Sequence, residues 1–257
     1  MAFDAERFRA ESREAKPKLG RPLMYQPVTG STNDDALLAA RSGAPHGSLF
    51  VTDEQTAGRG RRGNAWLAAP GESLLFSVLL RPRLELPQVS ALTLAFGLAL
   101  RDAVAPMIRL PAQIKWPNDL YVNGKKLAGI LVESQLQGDR LQAVVVGVGL
   151  NVVSRDFPEE IAARATSLAL LGAERLERES LLPRILDAMA LRLEAYQATG
   201  VAGILDELNA ADALRGKRIR VDAVSGIGCG LDAEGRLLLE DDAGHRHATL
   251  SGTVELL

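Results

Sequence analysis

The chain has 257 residues, of which 47% are hydrophobic and 24% charged, an ordinary globular composition with enough length for one large domain and a small one. Its formal net charge of −2 and pI near 6.0 exclude a general attraction to nucleic acid or anionic membranes, so anion binding must come from local clusters. The single Cys229 excludes an internal disulfide, predicts a small buried thiol and favours a reducing compartment. We recognise neither a signal-peptide core nor a membrane-spanning apolar run and expect a soluble, cytoplasmic protein.

The first elements are predicted to be a charged segment and a capped helix. Residues 1–20 mix acidic and basic side chains, which predicts a solvated face with room for one short helix and too little length for a DNA-binding domain. The residues Ser31-Thr32-Asn33 then precede an alanine- and leucine-rich run that ends at Arg41, with Gly43 beyond it. Capping residues at the start and a glycine after the end predict a helix here.

The most distinctive segment contains three glycines and three arginines at residues 58–63, and we call it the arginine loop. Strand-like runs at 48–52 and 74–80 flank it. Glycine lets the backbone approach a ligand closely and guanidinium groups match phosphate or carboxylate oxygens, so the loop predicts an anion site. The loop also fits the dinucleotide pattern G-x-G-x-x-G, but Pro70 and Gly71 follow where that fold needs a helix, which argues against a Rossmann site.

The middle of the chain predicts a sheet flanked by helices. Apolar residues on all sides of 87–104 predict a buried helix. A second helix is predicted over 181–199, with Pro183 in its first turn. Between the two helices, strand-like runs lie at 113–116, 127–133 and 141–148.

Near residue 214 the pattern changes to short alternating runs separated by turns. These runs lie at 217–224, 228–231, 236–240 and 246–250. Such spacing predicts a small antiparallel barrel or sandwich. The fold class is therefore predicted as α+β, with a charged segment at 1–20, a main domain at 21–212 and a small β domain at 213–257.

Three further segments combine reactive side chains with turns or glycines. Residues 115–119 read Lys-Trp-Pro-Asn-Asp after a predicted strand, 125–131 open the next strand with two lysines, and 147–151 carry two glycines before an asparagine. Glycine within a strand often marks the close approach of a ligand. Taken singly, each segment has a plain structural interpretation: a turn beside a packed tryptophan, a solvated hairpin flank, or a bulge. The three histidines predict no metal cluster.

Together these segments resemble biotin protein ligases, which attach biotin to a lysine of a carboxylase carrier domain. The resemblance rests on five strings in this order: Ser31-Thr32-Asn33, Gln55-x-x-Gly58-Arg59-Gly60-Arg61-Arg62-Gly63-x-x-Trp66, Lys115-Trp116-Pro117-Asn118-Asp119, Lys126-Leu127-Ala128-Gly129-Ile130-Leu131 and Gly147-x-Gly149-x-Asn151. It covers the chain from about residue 21 onward and implies a mixed sheet flanked by helices, of the class II synthetase-like type, with a C-terminal SH3-like barrel. The winged-helix domain of bifunctional members has no counterpart in residues 1–20, so we expect a single-function ligase.

The resemblance implies a two-step reaction: biotin and MgATP give biotinyl-5′-AMP and pyrophosphate, and an acceptor lysine then attacks the mixed anhydride. The implied biotin-binding residues are Ser31, Thr32, Asn33, Gln55, Gly58, Arg59, Gly60, Arg61, Lys126, Gly129 and Gly147. The implied ATP- and adenylate-binding residues are Arg61, Arg62, Trp66, Asn118, Asn151 and Lys126. The implied catalytic residues are Arg59, Arg61, Lys126 and Asp119. Cations at these positions would stabilise the charge that develops on the phosphate.

Two points stay open within this interpretation. Asp119 either orients and deprotonates the acceptor amine, the role we favour, or helps to hold the Mg²⁺ that arrives with ATP, since no cluster of protein ligands predicts a metal site. The expected partners are biotin and a biotin carboxyl carrier domain, with neither nucleic acid nor membrane. A homodimer is an option by analogy with relatives, and the run 141–148 is a candidate for an exposed sheet edge.

Three other functions compete with the ligase. A lipoate–protein ligase or octanoyltransferase would share the fold and the lysine-directed chemistry, but the string from Gln55 to Trp66 argues against it. A nucleic-acid-binding module would use the arginine loop to contact phosphates, but the net negative charge and 4% aromatic residues disfavour it. A carrier-binding protein without ATP-dependent activity is the third.

Overall fold

The structure is a computed structural model that describes residues 2–12 and 19–257, so residues 1 and 13–18 of the predicted charged segment lie outside the described residues. Within the described chain, one large sheet has seven strands in the spatial order β1-β2-β3-β7-β6-β5-β4. The strands are β1 Leu23–Thr29, β2 Leu49–Gln55, β3 Ser73–Leu80, β4 Ala112–Lys115, β5 Asp119–Val122, β6 Lys125–Gln137 and β7 Arg140–Asn151. The three strand-like runs after the buried helix are confirmed, whereas β5 was missed.

Strand β7 lies inside this sheet. It pairs with β3 from Val144 to Asn151 and with β6 along its other side. The expectation of an exposed edge at 141–148 is therefore wrong, because most of this run has hydrogen-bonded neighbours on both sides. The two edges are β1 and β4, and the β1–β2 pair is parallel whereas the other neighbours are antiparallel.

Helices cover both faces of the sheet. They are α1 Ala5–Glu11, α2 Thr32–Arg41, α3 Leu86–Val89, α4 Leu92–Val104, α5 Glu159–Ala162, α6 Arg178–Thr199 and α7 Leu205–Ala211. On one face, α4 packs on the sheet beneath α6, and on the other face α2 packs on Phe50, Leu79 and Val145. Because strand residues alternate between faces, Val144, Val146 and Val148 of β7 belong to the main core, whereas Ala143 and Val145 belong to the cluster at α2.

Two predicted helices differ in detail from the observed ones. The run 87–104 forms two helices, α3 and α4, because the chain turns at Ser90 and Ala91. The later helix begins at Arg178, so Pro183 lies inside α6 and not in its first turn. The described part of the charged segment is not simply a solvated face, since Phe3 and Phe8 are buried in the main core and α1 packs on α6.

Residues 86–107 are long and apolar enough to cross a membrane by length and composition. The sequence-based statement that no run reaches that length is therefore wrong. In the structure, 67% of the most apolar stretch of this segment is buried inside the protein, where α4 contacts both α6 and the sheet. A core helix that is covered on all sides carries the same apolar pattern as a membrane helix.

The C-terminal region forms a second, antiparallel sheet with five strands in the order β11-β10-β9-β8-β12 within the described residues. The strands are β8 Arg218–Val221, β9 Val224–Leu231, β10 Leu237–Glu240, β11 Arg246–Thr249 and β12 Val254–Leu256. The run 217–224 is not one strand, because the chain turns at Asp222, whose φ is 50°. Cys229 is half-buried and not fully buried. The predicted α+β fold with a small barrel-like β unit is confirmed, although β12 was missed.

Candidate active site

A cavity of about 200 Å³ opens where the sheet extends beyond α2. On this face, β7 presents Ala143 and Val145 to the helix and then Gly147 and Gly149 to the cavity. The change to glycine along this face lets the side chains of Asn33 and Trp66 lie directly against the strand, where a Cβ at Gly147 or Gly149 would collide with them. The residue pattern of the strand therefore sets the positions of two side chains that line the cavity.

One end of the cavity, which we call the neutral end, is lined by the uncharged side chains of Ser31, Thr32, Asn33 and Gln55, and Ser77 is bonded to Thr32 and Asn33. The Thr32 backbone N–H and hydroxyl donate to Gln55 Oε1 at 2.8 and 3.1 Å. The Ser77 hydroxyl lies 2.7 Å from Thr32 Oγ1 and 2.6 Å from Asn33 Oδ1. Helix α2 begins at Thr32, so Gln55 satisfies a donor that a helix start leaves open, and Ser31 makes no side-chain capping bond.

Asn33 is held by side chains from two strands, β6 and β3. Its amide nitrogen donates to Glu133 Oε2 at 2.6 Å, and its oxygen meets Ser77. A Cβ at Gly147 would lie 2.1 Å from Asn33 Oδ1, far inside van der Waals contact. In this structure Gly147 therefore makes room for Asn33, a reason different from the predicted approach of biotin to the strand.

Five cations also line the cavity: Arg61, Arg62, Lys115 and Lys126 form what we call the cationic end, whereas Arg59 shares Glu133 Oε2 with Asn33 and so borders the neutral end. Three of these cations have carboxylate partners. Arg59 pairs with Asp34 and lies 3.2 Å from Glu133, Arg62 lies 3.1 Å from Asp222, and Lys126 Nζ lies 2.8 Å from Asp119 Oδ1.

Arg61 and Lys115 are the exceptions. Within the part of the chain that the structure describes, neither has a carboxylate at ion-pair distance. Burial lowers the pKa of both groups, as expected when a cation leaves water without a full counter-charge. The Lys115 ammonium lies 5.2 Å from the centre of the Tyr121 ring, and burial with the Asp119 charge raises the pKa of Tyr121 to about 12. The ring is thus a neutral support for a cation that faces the cavity.

Trp66 forms a wall between the two ends. Its ring lies against the strands, where a Cβ at Gly149 would come within 2.4 Å and one at Gly129 within 3.0 Å of its atoms. Lys126 Nζ lies 5.4 Å from the ring centre. The indole N–H is buried and meets no acceptor among the described residues, so it is a donor free for a ligand.

The C-terminal sheet supplies another wall through Gly252, Thr253 and Val254. Arg62 Nη1 reaches across to Thr253 Oγ1 at 2.7 Å as well as to Asp222. No local sequence pattern indicates these contacts, because the partners are far apart along the chain.

Most of the implied site residues line this one cavity. They are Ser31, Thr32, Asn33, Gln55, Arg59, Gly60, Arg61, Arg62, Trp66, Asn118, Asp119, Lys126, Gly129 and Gly147. Gly58 lies behind it, where a Cβ would meet Gln55 and Trp66. Asn151 differs from its implied place beside adenine: it is buried, accepts from Ser73 at 3.2 Å and donates to Thr166 at 3.0 Å. Both polar atoms of its side chain are hydrogen-bonded within the protein.

The side chains at the site that had no predicted role include Lys115, Ser77, Glu133 and Thr253. Lys115 stood inside the Lys-Trp-Pro-Asn-Asp string, so its place was indicated although no role was given. Ser77 and Glu133 are the polar members of otherwise apolar strands, which is a weak signal for a buried polar site.

The described residues contain no group of three or more His, Cys, Asp or Glu side chains suited to a metal. Asp119 is a single carboxylate already paired with Lys126. A divalent ion at this end would need most of its ligands from a bound phosphate and water, as is usual for Mg²⁺.

Comparisons with known proteins agree with this geometry. The sequence profile of the Biotin/lipoate A/B protein ligase family matches residues 25–151. The biotin–[acetyl-CoA-carboxylase] ligase of Mycobacterium tuberculosis is 39% identical over 243 residues, 90% of this chain and 87% of that protein. The bifunctional ligase/repressor BirA of Bacillus spizizenii is 36% identical over 232 residues, 88% of this chain and 71% of that protein.

A solved structure gives the same result. The biotin protein ligase from Aquifex aeolicus, in complex with biotin and ATP, matches with a TM-score of 0.79 and 30% identity, covering 92% of this chain and 99% of that one. These findings confirm the resemblance to biotin protein ligases that the motifs indicated. The chain belongs to the biotin/lipoate A/B protein ligase family.

Proposed function

We propose that this protein is a biotin–protein ligase, which activates biotin with ATP to biotinyl-5′-AMP and transfers the biotinyl group to a lysine of a biotin carboxyl carrier domain. The observation that carries the proposal is one cavity with a neutral hydrogen-bonding end and a cationic end. A neutral ring system joined by an alkyl chain to a carboxylate fits such a site, and the similar Aquifex aeolicus ligase binds biotin and ATP.

The neutral end would hold the ring system of biotin. The ureido group offers a carbonyl oxygen and two N–H groups, and the side chains here supply matching hydroxyl and amide groups. Because Thr32, Asn33 and Ser77 are buried and already bonded to one another, their positions are fixed before a ligand arrives. Such preorganisation lowers the entropy cost of binding.

The cationic end would carry the first reaction step. A carboxylate oxygen of biotin attacks the α-phosphorus of ATP, the new P–O bond forms, and the bond to the departing pyrophosphate breaks. Arg61 and Lys115, which lack carboxylate partners within the described chain, would bind the phosphate oxygens, and Lys126 would neutralise the carboxylate and the α-phosphate. Catalysis of phosphoryl transfer depends mainly on positioning and on electrostatic stabilisation of this kind. Mg²⁺ bound to ATP would add positive charge beside Asp119.

In the second step the acceptor amine attacks the carbonyl carbon of the mixed anhydride and AMP leaves. The amine has a reference pKa near 10.4 and must lose a proton before or as the C–N bond forms. Asp119 would orient the amine and accept that proton. Its ion pair with Lys126 places this carboxylate beside the cation that we assign to the anhydride oxygens.

The test is biotin-dependent release of pyrophosphate from MgATP by the purified protein, with lipoate and octanoate as parallel substrates. Release with biotin alone, together with the mass gain of one biotinyl group on an added carrier domain, supports the proposal. Release with lipoate and not with biotin assigns the protein to lipoate chemistry. Silence with all three substrates overturns the ligase.

A cytoplasmic location and a biotin-dependent carboxylase as the owner of the carrier domain are part of the same proposal. The single, unpaired Cys229 supports a reducing compartment. Fractionation of the source cell with detection of biotinylated protein tests the location.

A further inference from the structure

One side chain ties the arginine loop to the C-terminal sheet. Arg62 Nη1 lies 3.1 Å from Asp222 Oδ1 and 2.7 Å from Thr253 Oγ1. The Thr253 backbone N–H donates to the same Asp222 oxygen at 3.1 Å. The hydrogen bond from Thr253 and the charge of Arg62 both lower the pKa of Asp222 below its usual value, so the carboxylate is ionised. The three groups form one small network at the mouth of the cavity.

Arg62, the residue that contacts the C-terminal sheet, also has a strained backbone conformation. Arg62 has φ 55° and ψ 32°, the left-handed region that residues with a Cβ seldom adopt, and Gly63 follows with φ 77°. Within the loop, the Gly60 N–H donates to Asn64 O at 2.6 Å and the Asn64 N–H to Arg61 O at 3.2 Å. The contacts of the Arg62 side chain with the C-terminal sheet stabilise the loop at the residue whose backbone conformation is least favourable.

The solvent exposure of the Arg62–Asp222 ion pair limits how much it can contribute to the stability of the fold. The Arg62 and Asp222 side chains are 47% and 53% exposed. Exposed ion pairs add little to the stability of a whole protein, so the network is poorly suited to stabilise the fold. The same small energy matters more for the position of one short loop than for the stability of the whole fold. Arg62 and Thr253 both line the cavity, so the loop and the sheet close the same opening.

We propose that Asp222 and Thr253 are positioning residues that hold Arg62, and with it the arginine loop, closed over the cavity. The C-terminal sheet thereby retains the reactive adenylate until the acceptor lysine arrives and limits its attack by water. This inference rests on the proposed function. It assigns the C-terminal unit a part in retention of the intermediate, separate from the residues that contact the reacting atoms.

The test compares four variants with the unmodified protein. Asp222→Asn removes the charge and keeps an oxygen for the Thr253 N–H, Arg62→Met removes the donor, and the double variant combines them. Asp242→Asn is the matched control, because Asp242 forms an exposed ion pair with Arg218 in the same sheet. The readouts are the rate at which preformed biotinyl-5′-AMP leaves the protein, the labelling of a bystander protein without a carrier domain, and the thermal midpoint.

We expect Asp222→Asn to speed the escape of adenylate and the bystander labelling about two- to fivefold, in line with the weak energy of one exposed pair. The midpoint should stay within about 2 °C, and Asp242→Asn should match the unmodified protein. The double variant should lose adenylate no faster than Arg62→Met alone, because the two single changes remove the same contact and their effects do not add. If Asp222→Asn fails to fold, Arg62→Met with Thr253→Val tests the contact from its other members.

Adenylate made and retained equally by Asp222→Asn and the unmodified protein would overturn the inference and leave the ligase intact. Fully additive escape rates in the double variant would overturn it too. Absence of any biotin-dependent pyrophosphate release in the unmodified protein would instead overturn the proposed function, so the two failures are distinguishable.

Discussion

The two ends of the cavity solve the problem of buried polar groups in opposite ways. At the neutral end, Thr32, Asn33, Gln55 and Ser77 are bonded to one another and, through Asn33, to Glu133, and Asn33, Thr32 and Ser77 are at most 4% exposed. At the cationic end, Arg61 and Lys115 have no carboxylate partner among the described residues. The first end is held in place by its own hydrogen bonds before a ligand arrives, whereas the second carries positive charge that an anion would satisfy.

This difference indicates how each end responds to binding. A satisfied network costs little to keep folded, so it can be rigid and selective for shape and hydrogen-bond pattern. Unpaired cations raise the free energy of the empty site and are stabilised most when charge develops on a bound phosphate. Changes at the neutral end should therefore alter biotin affinity, and changes at the cationic end should alter the rate of adenylation.

Lys115→Met removes one of the two cations at the cationic end that have no carboxylate partner among the described residues. We expect the rate of biotin-dependent pyrophosphate–ATP exchange to fall about 100-fold, because one charged group that stabilises the departing phosphate is lost. Biotin affinity by calorimetry should stay within about twofold, since Lys115 lies outside the neutral end. Lys125→Met is the control, as Lys125 is exposed beside Lys126 and outside the cavity. Equal losses in both variants would refute the assignment of Lys115.

Arg61→Gly tests the other unpaired cation. We expect the adenylate to be held about 30-fold less tightly, so that it escapes and labels bystander lysines, because a charge-assisted hydrogen bond to the phosphate is removed. The measurement is biotin transferred to a protein without a carrier domain. Unchanged retention of adenylate would contradict the role of Arg61.

The arginine loop, helix α2 and the glycines of β6 and β7 could be predicted because each is signalled by neighbouring residues. Capping residues mark the start of α2, and the glycines within the strands mark the positions where Asn33 and Trp66 lie against the backbone at the cavity. The order of these local signals was enough to indicate one site.

Contacts between distant parts of the chain could not be predicted in this way. The contact of Thr253 with Arg62 and the pairing of β7 with β3 depend on how the sheets assemble, and no pattern near either residue encodes the partner. Asn151 shows the reverse case: a polar residue that follows two cavity glycines proved to be bonded inside the protein. Sequence spacing indicates which residues are near a site and not which way each side chain turns.

Gly147→Ala tests the rigidity of the neutral end. The added methyl group would lie 2.1 Å from Asn33 Oδ1, and Asn33 cannot move without breaking its bonds to Ser77 and Glu133. We expect the dissociation constant for biotin to rise about 30-fold, since the whole network must shift. Gly30→Ala is the control, because its added Cβ meets no atom within 4 Å. A normal biotin affinity in Gly147→Ala would show that the neutral end is adaptable.

Ser77→Ala should have the smallest effect and sharpens the comparison most. It removes the hydroxyl beneath Thr32 and Asn33 without adding bulk, so each keeps its other partner and only its orientation loosens. We expect the KM for biotin to rise about fivefold with kcat within about twofold, because the loss concerns binding in both ground and transition states.

Ser48→Ala is the matched control: Ser48 is equally buried and bonds to Pro45 at 2.7 Å, away from the cavity. Both variants should lose similar thermal stability, and a KM that rises equally in both would show a general loosening of the sheet. A fall in kcat confined to Ser77→Ala would mean that the neutral end also takes part in the chemical step, and the separation of the two ends would no longer hold.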